Sequence, residues 1–173
     1  MIASSYQAPN LLWRLQNGEL PNQLYPPVFW ILIGTNDLAN NKCSAERVVV
    51  GILRIVEELR SRRPASAIVI NGLLPRSFNS EGYVAKGGRL TPSLWEHINA
   101  INEELKLYAN YRDRVFYFET SVFFEDNSVP KSQLKINKDL MPDFLHPSPK
   151  GYQLWGAEIV HMLREIVPSN HKK

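Results

Sequence analysis

The sequence predicts an α/β fold built on a parallel sheet, and three observations point there. Short β-branched or aromatic runs alternate with longer stretches of helical periodicity, the pattern of successive βαβ units. One of those runs, residues 28–33 (VFWILI), has no polar residue, as expected of a strand buried on both faces. Two long connections, 75–90 and 121–142, each follow a strand and so leave the sheet at its carboxyl edge, where open α/β sheets bind ligands.

Taken in order, residues 11–16 (LLWRLQ) read as a short helix stopped by Asn17-Gly18, because glycine readily takes the left-handed conformation that ends a helix. Pro26-Pro27 then introduces the 28–33 strand. Ser44 is placed to cap a helix over 45–61, whose apolar Val49, Ile52, Leu53, Val56 and Leu59 recur at spacings of three and four. Pro64 marks its end, and residues 67–73 (AIVINGL) form the next strand. Thr91-Pro92 opens a third helix, with threonine as cap and proline in the first turn, carrying Leu94, Ile98, Ile101 and Leu105. Residues 115–119 (VFYFE) give another strand, and Ser148-Pro149 opens a last helix bearing Leu154, Trp155, Ile159, Met162, Leu163 and Ile166. The tryptophans Trp13, Trp30, Trp95 and Trp155 fall on these elements and are expected in the core.

Composition narrows the class further. The 173 residues are 44% apolar and 21% charged, which is globular rather than disordered, and long enough for a core without staples. A single cysteine, Cys43, excludes an internal disulfide framework and a multi-cysteine metal site, and suits a reducing compartment such as the cytoplasm. The net charge of +3 is mildly basic. Its clearest cluster, Arg60, Arg62 and Arg63, lies at a helix end, where cations complement the dipole, without the interleaved aromatics of a nucleic-acid surface. No apolar run approaches the ~20 residues that span a bilayer. Neither a signal peptide nor a glycine-rich phosphate loop after a strand is expected.

Two short motifs carry chemistry. Gly34-Thr35-Asn36-Asp37 directly follows the 28–33 strand, and an asparagine at such a tip can aim its amide at a developing oxyanion; Asp37 reads as a cap of the turn. Asp143-Phe144-Leu145-His146-Pro147 precedes the last helix. An aspartate three residues before a histidine can hold Nδ1–H and leave Nε2 free as a general base. Of the other histidines, His97 and His161 fall within helices and His171 in the tail, so only His146 has this setting.

Together, and in this order and spacing, the two motifs resemble the third and fifth sequence blocks of the SGNH (GDSL-type) hydrolases. The segment Leu12-Trp13-Arg14-Leu15-Gln16-Asn17-Gly18-Glu19-Leu20 looks like one characteristic of the catalytic subunits of intracellular platelet-activating-factor acetylhydrolase. Gly72-Leu73-Leu74-Pro75-Arg76, and Gly151-Tyr152 behind His146, belong to the same pattern. The resemblance implies a flavodoxin-like three-layer α/β/α fold with a parallel sheet. It further implies hydrolysis of a small ester or acetyl group, without metal or cofactor. Carried over residue by residue, His146 is the base, Asp143 its orienting acid, and Asn36 an oxyanion-hole donor. Ser5 stands near the place of a glycine whose backbone N–H also serves the oxyanion hole in this family.

The nucleophile of the family lies in a Gly-Asp-Ser segment after the first strand, and no Gly-Asp-Ser occurs among the 173 residues. Without that hydroxyl His146 has nothing to activate. The expectation is therefore a single SGNH-type domain over 1–173 that is N-terminally incomplete, lacks its first βα unit or units, and is inactive as it stands. Residues 28–33 would then form an exposed apolar edge, and the chain should aggregate, dimerise through it, or be marginally stable. The alternative is a non-catalytic protein that keeps the fold for binding or for homo- or heterodimer formation. The resembled subunits form dimers and associate with a β-propeller partner. Neither reading calls for nucleic acid or a membrane span.

Overall fold

The computed structural model describes residues 7–130 and 133–167. The chain divides into two compact units: one runs to Leu74 and resumes over Glu96–Glu119, the other holds Pro75–Trp95 and the chain from Thr120 onward.

The first unit is the α/β part. Its strands β1 (Val28–Ile31), β2 (Ala67–Asn71) and β3 (Val115–Phe118) form a parallel sheet in the order β1-β2-β3. Val28 stands beside Ala67 and Ile31 beside Ile70; Ile68 stands beside Val115 and Asn71 beside Phe118. Helix α1 (Ala8–Arg14), the short α2 (Thr35–Ala39), α3 (Ala45–Arg62) and α4 (Trp95–Asn110) complete the element order up to β3. Parallel strands need such crossovers, and the predicted α/β class is met.

The strand buried on both faces is β2, not β1. Every residue of β2 is buried, whereas Val28, Phe29 and Trp30 are only half-buried and Leu32 is exposed. The physical reason is position: β2 lies between two strands and β1 lies at an edge of the described sheet. The strand also stops at Ile31, two residues short of the apolar run. Beyond the end of β2, Asn102 of α4 acts as a substitute strand neighbour. Its Oδ1 accepts from the Leu73 N–H at 2.7 Å and its Nδ2 donates to the Leu73 carbonyl at 3.1 Å. Both backbone groups of a buried residue are thereby satisfied.

Other boundaries shift for local reasons. Helix α1 starts three residues earlier than its apolar pattern, at Ala8-Pro9, and runs into a widened turn over Leu15–Glu19, where Gly18 takes φ 108°. In α3 the buried face is Val48, Ile52, Ile55, Val56 and Leu59, so Val49 and Leu53 lie at its margin. Ser44 occupies the cap position of α3, but its side chain makes no capping hydrogen bond. Helix α4 begins at Trp95, not at Thr91-Pro92. The Ser93 hydroxyl accepts from the Trp95 N–H at 3.0 Å and donates to the Val84 carbonyl, which holds the preceding residues out of the helix.

The arginine cluster is structural. Arg63 is buried and donates to the carbonyls of Pro21, Leu24 and Arg62, while Arg62 reaches those of Leu15 and Leu20. These contacts bind the end of α3 to the 15–25 segment. Of the tryptophans, only Trp155 is buried; Trp13 is 64% exposed, a correction to the expected core role. Trp30 is half-buried, donates to Asn71 Oδ1 at 3.0 Å and meets Phe118 edge-on.

The second unit is built from the two long connections and the last helix. An isolated antiparallel bridge joins Tyr83 of the first connection to Lys135 of the second, and another, between Glu125 and Ile136, pairs the second connection with itself. A 3-10 turn, Ser121–Phe124, places Phe124 in full burial against Trp155 of α5 (Pro149–Ile166). Among the described residues no helix is long and apolar enough to cross a membrane.

Candidate active site

The second unit brings Asp143 and His146 together. Asn137 begins the approach to α5: its carbonyl accepts from the N–H groups of Leu140 and Met141 at 3.1 and 2.9 Å. Phe144 then donates to the Met141 carbonyl at 3.0 Å and takes a left-handed φ of 57°, uncommon for a non-glycine residue. Two anchors hold that conformation. The Phe144 carbonyl accepts from the Ser77 N–H at 3.0 Å, and its buried ring lies where a β-carbon on Gly82 would be, 2.7 Å from that position. Beyond the loop Ser148 caps α5 as the sequence predicts, accepting from the Gly151 N–H at 3.1 Å. The Ser148 N–H also donates to the Leu140 carbonyl at 2.7 Å. A side chain at position 151 would collide with that carbonyl, 2.4 Å from an ideal β-carbon.

The chain reversal at Phe144 turns the Asp143 carboxylate onto the residues that follow. Its Oδ1 accepts from the backbone N–H of Leu145 at 3.0 Å and of His146 at 2.7 Å. Its Oδ2 lies 2.7 Å from His146 Nδ1, so the imidazole is held through one ring nitrogen and Nε2 is left for other work. The His146 backbone N–H, then its side chain, and the Leu145 N–H hold the Asp143 carboxyl down to about 2. It is therefore ionised across the range in which an imidazole exchanges protons. The dyad is open: the His146 side chain is 72% exposed and that of Asp143 55%.

Asn36 belongs to the first unit. It lies not on the strand tip but in the first turn of α2, after Gly34 has turned the chain with φ 118°. A side chain at Gly34 would be strained there and would meet Val48 Cγ1 at 2.9 Å, so the glycine is required twice over. Asn36 is half-buried, and its carbonyl accepts from the Asn40 N–H at 2.9 Å. Ser5 lies outside the described residues.

The sequence pattern did not reveal the work of Asp37. Its carboxylate is buried and accepts from the N–H of Ala8, the first residue of α1, at 3.1 and 3.2 Å. Burial raises its pKa, against which the Ala8 and Asp37 backbone N–H groups act. Asp37 thus ties the start of α1 to the helix that carries Asn36, a contact 29 residues apart with no local signal. Arg76 is also buried, its guanidinium 5.0 Å from the Phe78 ring centre; desolvation pushes its pKa down. Among the described residues no group of three or more His, Cys, Asp or Glu side chains is placed to hold a metal.

Comparison with known proteins gives a consistent match. Residues 3–154 match the model of the GDSL-like lipase/acylhydrolase family. The chain is 45% identical over 158 residues to platelet-activating factor acetylhydrolase IB subunit alpha2 of Rattus norvegicus, covering 91% of this chain and 58% of that protein. The subunit of the same name from Bos taurus is 32% identical over the same coverage. The chain thus spans about 58% of the length of these curated relatives. Among solved structures, a GDSL-like lipase from Bacteroides thetaiotaomicron superposes with a TM-score of 0.74 over 94% of this chain and 73% of that one, at 18% identity. A second neighbour, described as a putative platelet activating factor from Streptococcus pneumonia, gives a TM-score of 0.71 at 21% identity, over 91% of this chain and 68% of that one.

Proposed function

The chain belongs to the GDSL-like lipase/acylhydrolase family, and from that premise we propose that it carries the base and oxyanion side of an ester-hydrolysing site without the family's nucleophile segment. The observation that supports the reading best is the Asp143–His146 pair, with 2.7 Å between Oδ2 and Nδ1 and the opposite carboxylate oxygen fixed by two backbone N–H groups. Such an aspartate neither gives nor takes a proton in the reaction. It holds the imidazole in one tautomer and stabilises the imidazolium formed when Nε2 removes a proton from an attacking hydroxyl. The proton then passes from Nε2 to the leaving alcohol. Asn36 supplies an amide N–H to the oxygen of the tetrahedral intermediate, a donor worth ~10²–10³ in rate where it has been removed from comparable sites.

The hydroxyl in this scheme belongs to a serine that the family carries in Gly-Asp-Ser, and the 173 residues contain no such segment. The substrate class is an ester with a small acyl group, acetyl being the case suggested by the acetylhydrolase names of the relatives. On its own the chain is expected to be inert.

The test is intact-mass analysis after incubation with a serine-directed fluorophosphonate, with a short-acyl chromogenic ester in parallel and His146→Ala and Ser5→Ala controls. No adduct and no turnover is the expected result. A single adduct that vanishes in His146→Ala would place a working nucleophile inside these residues and overturn the proposal.

A further inference from the structure

Residues 77–83 of the first long connection form a loop closed on itself. The Ser77 hydroxyl donates to the Tyr83 carbonyl at 2.8 Å and accepts from the Asn79 N–H at 3.0 Å. The Asn79 side chain accepts from the Glu81 N–H at 2.9 Å, and its backbone carbonyl from the Gly82 N–H at 3.1 Å. The loop is also clamped to the second connection. There the Gly82 carbonyl accepts from the Ile136 N–H at 3.0 Å, and the Val84 N–H donates to the Leu134 carbonyl at 3.1 Å. Its backbone is thus fixed by contacts that do not involve the dyad.

Phe144 seats on this loop at two points. Its carbonyl takes the Ser77 N–H, and its buried ring covers Gly82. Ring atoms Cε1, Cδ1 and Cζ stand 2.7, 2.9 and 3.1 Å from an ideal β-carbon at position 82, where φ is 84°. An alanine there would be strained and would push the ring out of its seat. The seat matters because Phe144 itself is left-handed, a conformation that a phenylalanine keeps only where its surroundings impose it. The Asp143 carboxylate precedes this residue, and the N–H groups that Oδ1 accepts, those of Leu145 and His146, follow it. The reversal at Phe144 folds them back onto the carboxylate and sets His146 Nδ1 2.7 Å from Oδ2. Relaxing Phe144 to the right-handed region swings both N–H groups and the imidazole away.

Building on the proposed esterase reading, we infer that Gly82 and Phe144 are positioning residues of the dyad, the 77–83 loop holding Phe144 left-handed so that Asp143 and His146 stay paired. The three-residue spacing brings the two side chains within reach, and the seated ring keeps them there. Burial does not do this, since the His146 side chain is 72% exposed and that of Asp143 55%. Both positioning residues act through the dyad: when Phe144 leaves its seat, the imidazole loses the partner that fixes its tautomer and leaves Nε2 as the base.

The test reads the dyad directly, by carboxyl-carbon titration of Asp143 and imidazole nitrogen spectra of His146 in the full chain. In the wild type the carboxyl midpoint lies at about 2 and the neutral ring carries its proton on Nδ1, facing Oδ2. Gly82→Ala and Phe144→Ala are expected to return the midpoint towards about 4, approaching a hundredfold in proton affinity, and to move the ring proton off Nδ1. Phe144→Gly also lacks the ring but takes the left-handed backbone without strain, so it should stay nearer the wild type than Phe144→Ala. A merely structural role would lower the melting temperature and leave both readouts of the folded chain unchanged. A wild-type midpoint and tautomer in folded Phe144→Ala therefore overturns the inference, as does Phe144→Gly displaced as far as Phe144→Ala. If Gly82→Ala does not fold, the two Phe144 variants decide the matter. Neither readout needs turnover, so a chain inert to the fluorophosphonate leaves the inference standing. A chain that labels, yet keeps the pairing in Phe144→Ala, sinks only the positioning role.

Discussion

At the scale of single residues, the clearest consequence concerns Asp143. An ordinary aspartate titrates near 4, and the backbone and side chain of His146 together with the Leu145 N–H bring this one down to about 2. The folded-state value is depressed, so the carboxylate contributes stability that is fully present above about pH 4 and is lost as pH falls through about 2. The group is more than half exposed, so the effect on the whole fold is small and is best read at the residue itself. Carboxyl carbon NMR should show Asp143 titrating near 2 in the folded chain; a midpoint near 4 would mean that the loop does not hold the carboxylate. Asp37 has the opposite sign, since burial raises its pKa and its charge is a cost of folding that the α1 contact and its own backbone N–H offset in part. Asp37→Asn keeps an acceptor for the Ala8 N–H and removes the buried charge, and should change stability by less than ~0.5 kcal/mol. Asp37→Ala leaves that N–H without its acceptor and should cost ~1–3 kcal/mol in urea unfolding. Equal losses in both variants would show that the charge, not the acceptor, matters.

At the scale of elements, the sequence was most readable where the period of apolar residues and the end signals agree. Ser148-Pro149 marks the start of α5 because serine caps and proline fits the first turn, and both do so here. Asn17-Gly18 marks a helix end because Gly18 can adopt φ 108°. The Asp143–His146 pairing was legible from spacing, since a turn of that length brings the two side chains into reach. What was not legible depends on neighbours distant in the chain. The apolar run 28–33 implies burial but does not say which strand ends up central, and the structure gives that place to Ala67–Asn71. Nothing around Asp37 announces a partner 29 residues away. The same holds between β2 and β3, where Gly72 lies against Tyr117. An ideal β-carbon at position 72 would stand 2.4 Å from the Tyr117 hydroxyl, which is buried without a protein partner. Burial raises the Tyr117 pKa, and Glu119 and Glu103 raise it further. Gly72→Ala should therefore destabilise by ~1–3 kcal/mol through overpacking. Tyr117→Phe should be neutral or stabilising, since it removes an unsatisfied hydroxyl. In the double variant the 2.4 Å contact is gone and the nearest atom is the ring Cζ at 3.0 Å, still tight but relieved by a small ring shift. The two changes should then be non-additive by ~1 kcal/mol or more in thermal or urea unfolding. Strict additivity would mean that the two groups do not meet.

At the scale of the whole molecule, the exposed side of the sheet governs behaviour in solution. Among the described residues β1 pairs only with β2, and its outer edge carries the backbone of an apolar run. Phe29, Trp30, Ile31 and Leu32 line an adjoining cavity of about 190 Å3 with Leu11, Leu15, Ile55 and Leu59. Natural sheets blunt such edges with charges, proline, bulges or a covering element, because an open edge is a template for another strand. Pro26 and Pro27 stand just before the strand, but within 28–33 there is neither a charge nor a proline. The net charge of +3 is small for a chain of 173 residues and opposes association weakly. The purified chain should therefore associate in a concentration-dependent way through β1. Phe29→Lys places a charge on the edge strand and leaves the residues of β2 unchanged, and should shift light-scattering mass towards the monomer. The same substitution removes an aromatic side chain that is only half-buried, so its cost in stability should be modest beside the change in association. A wild-type chain that stays monomeric with increasing concentration and melts sharply would show that the edge is not sticky. Association unchanged by Phe29→Lys would move the contact elsewhere on the surface, to the exposed apolar side chains of α5, Tyr152, Leu154 and Val160.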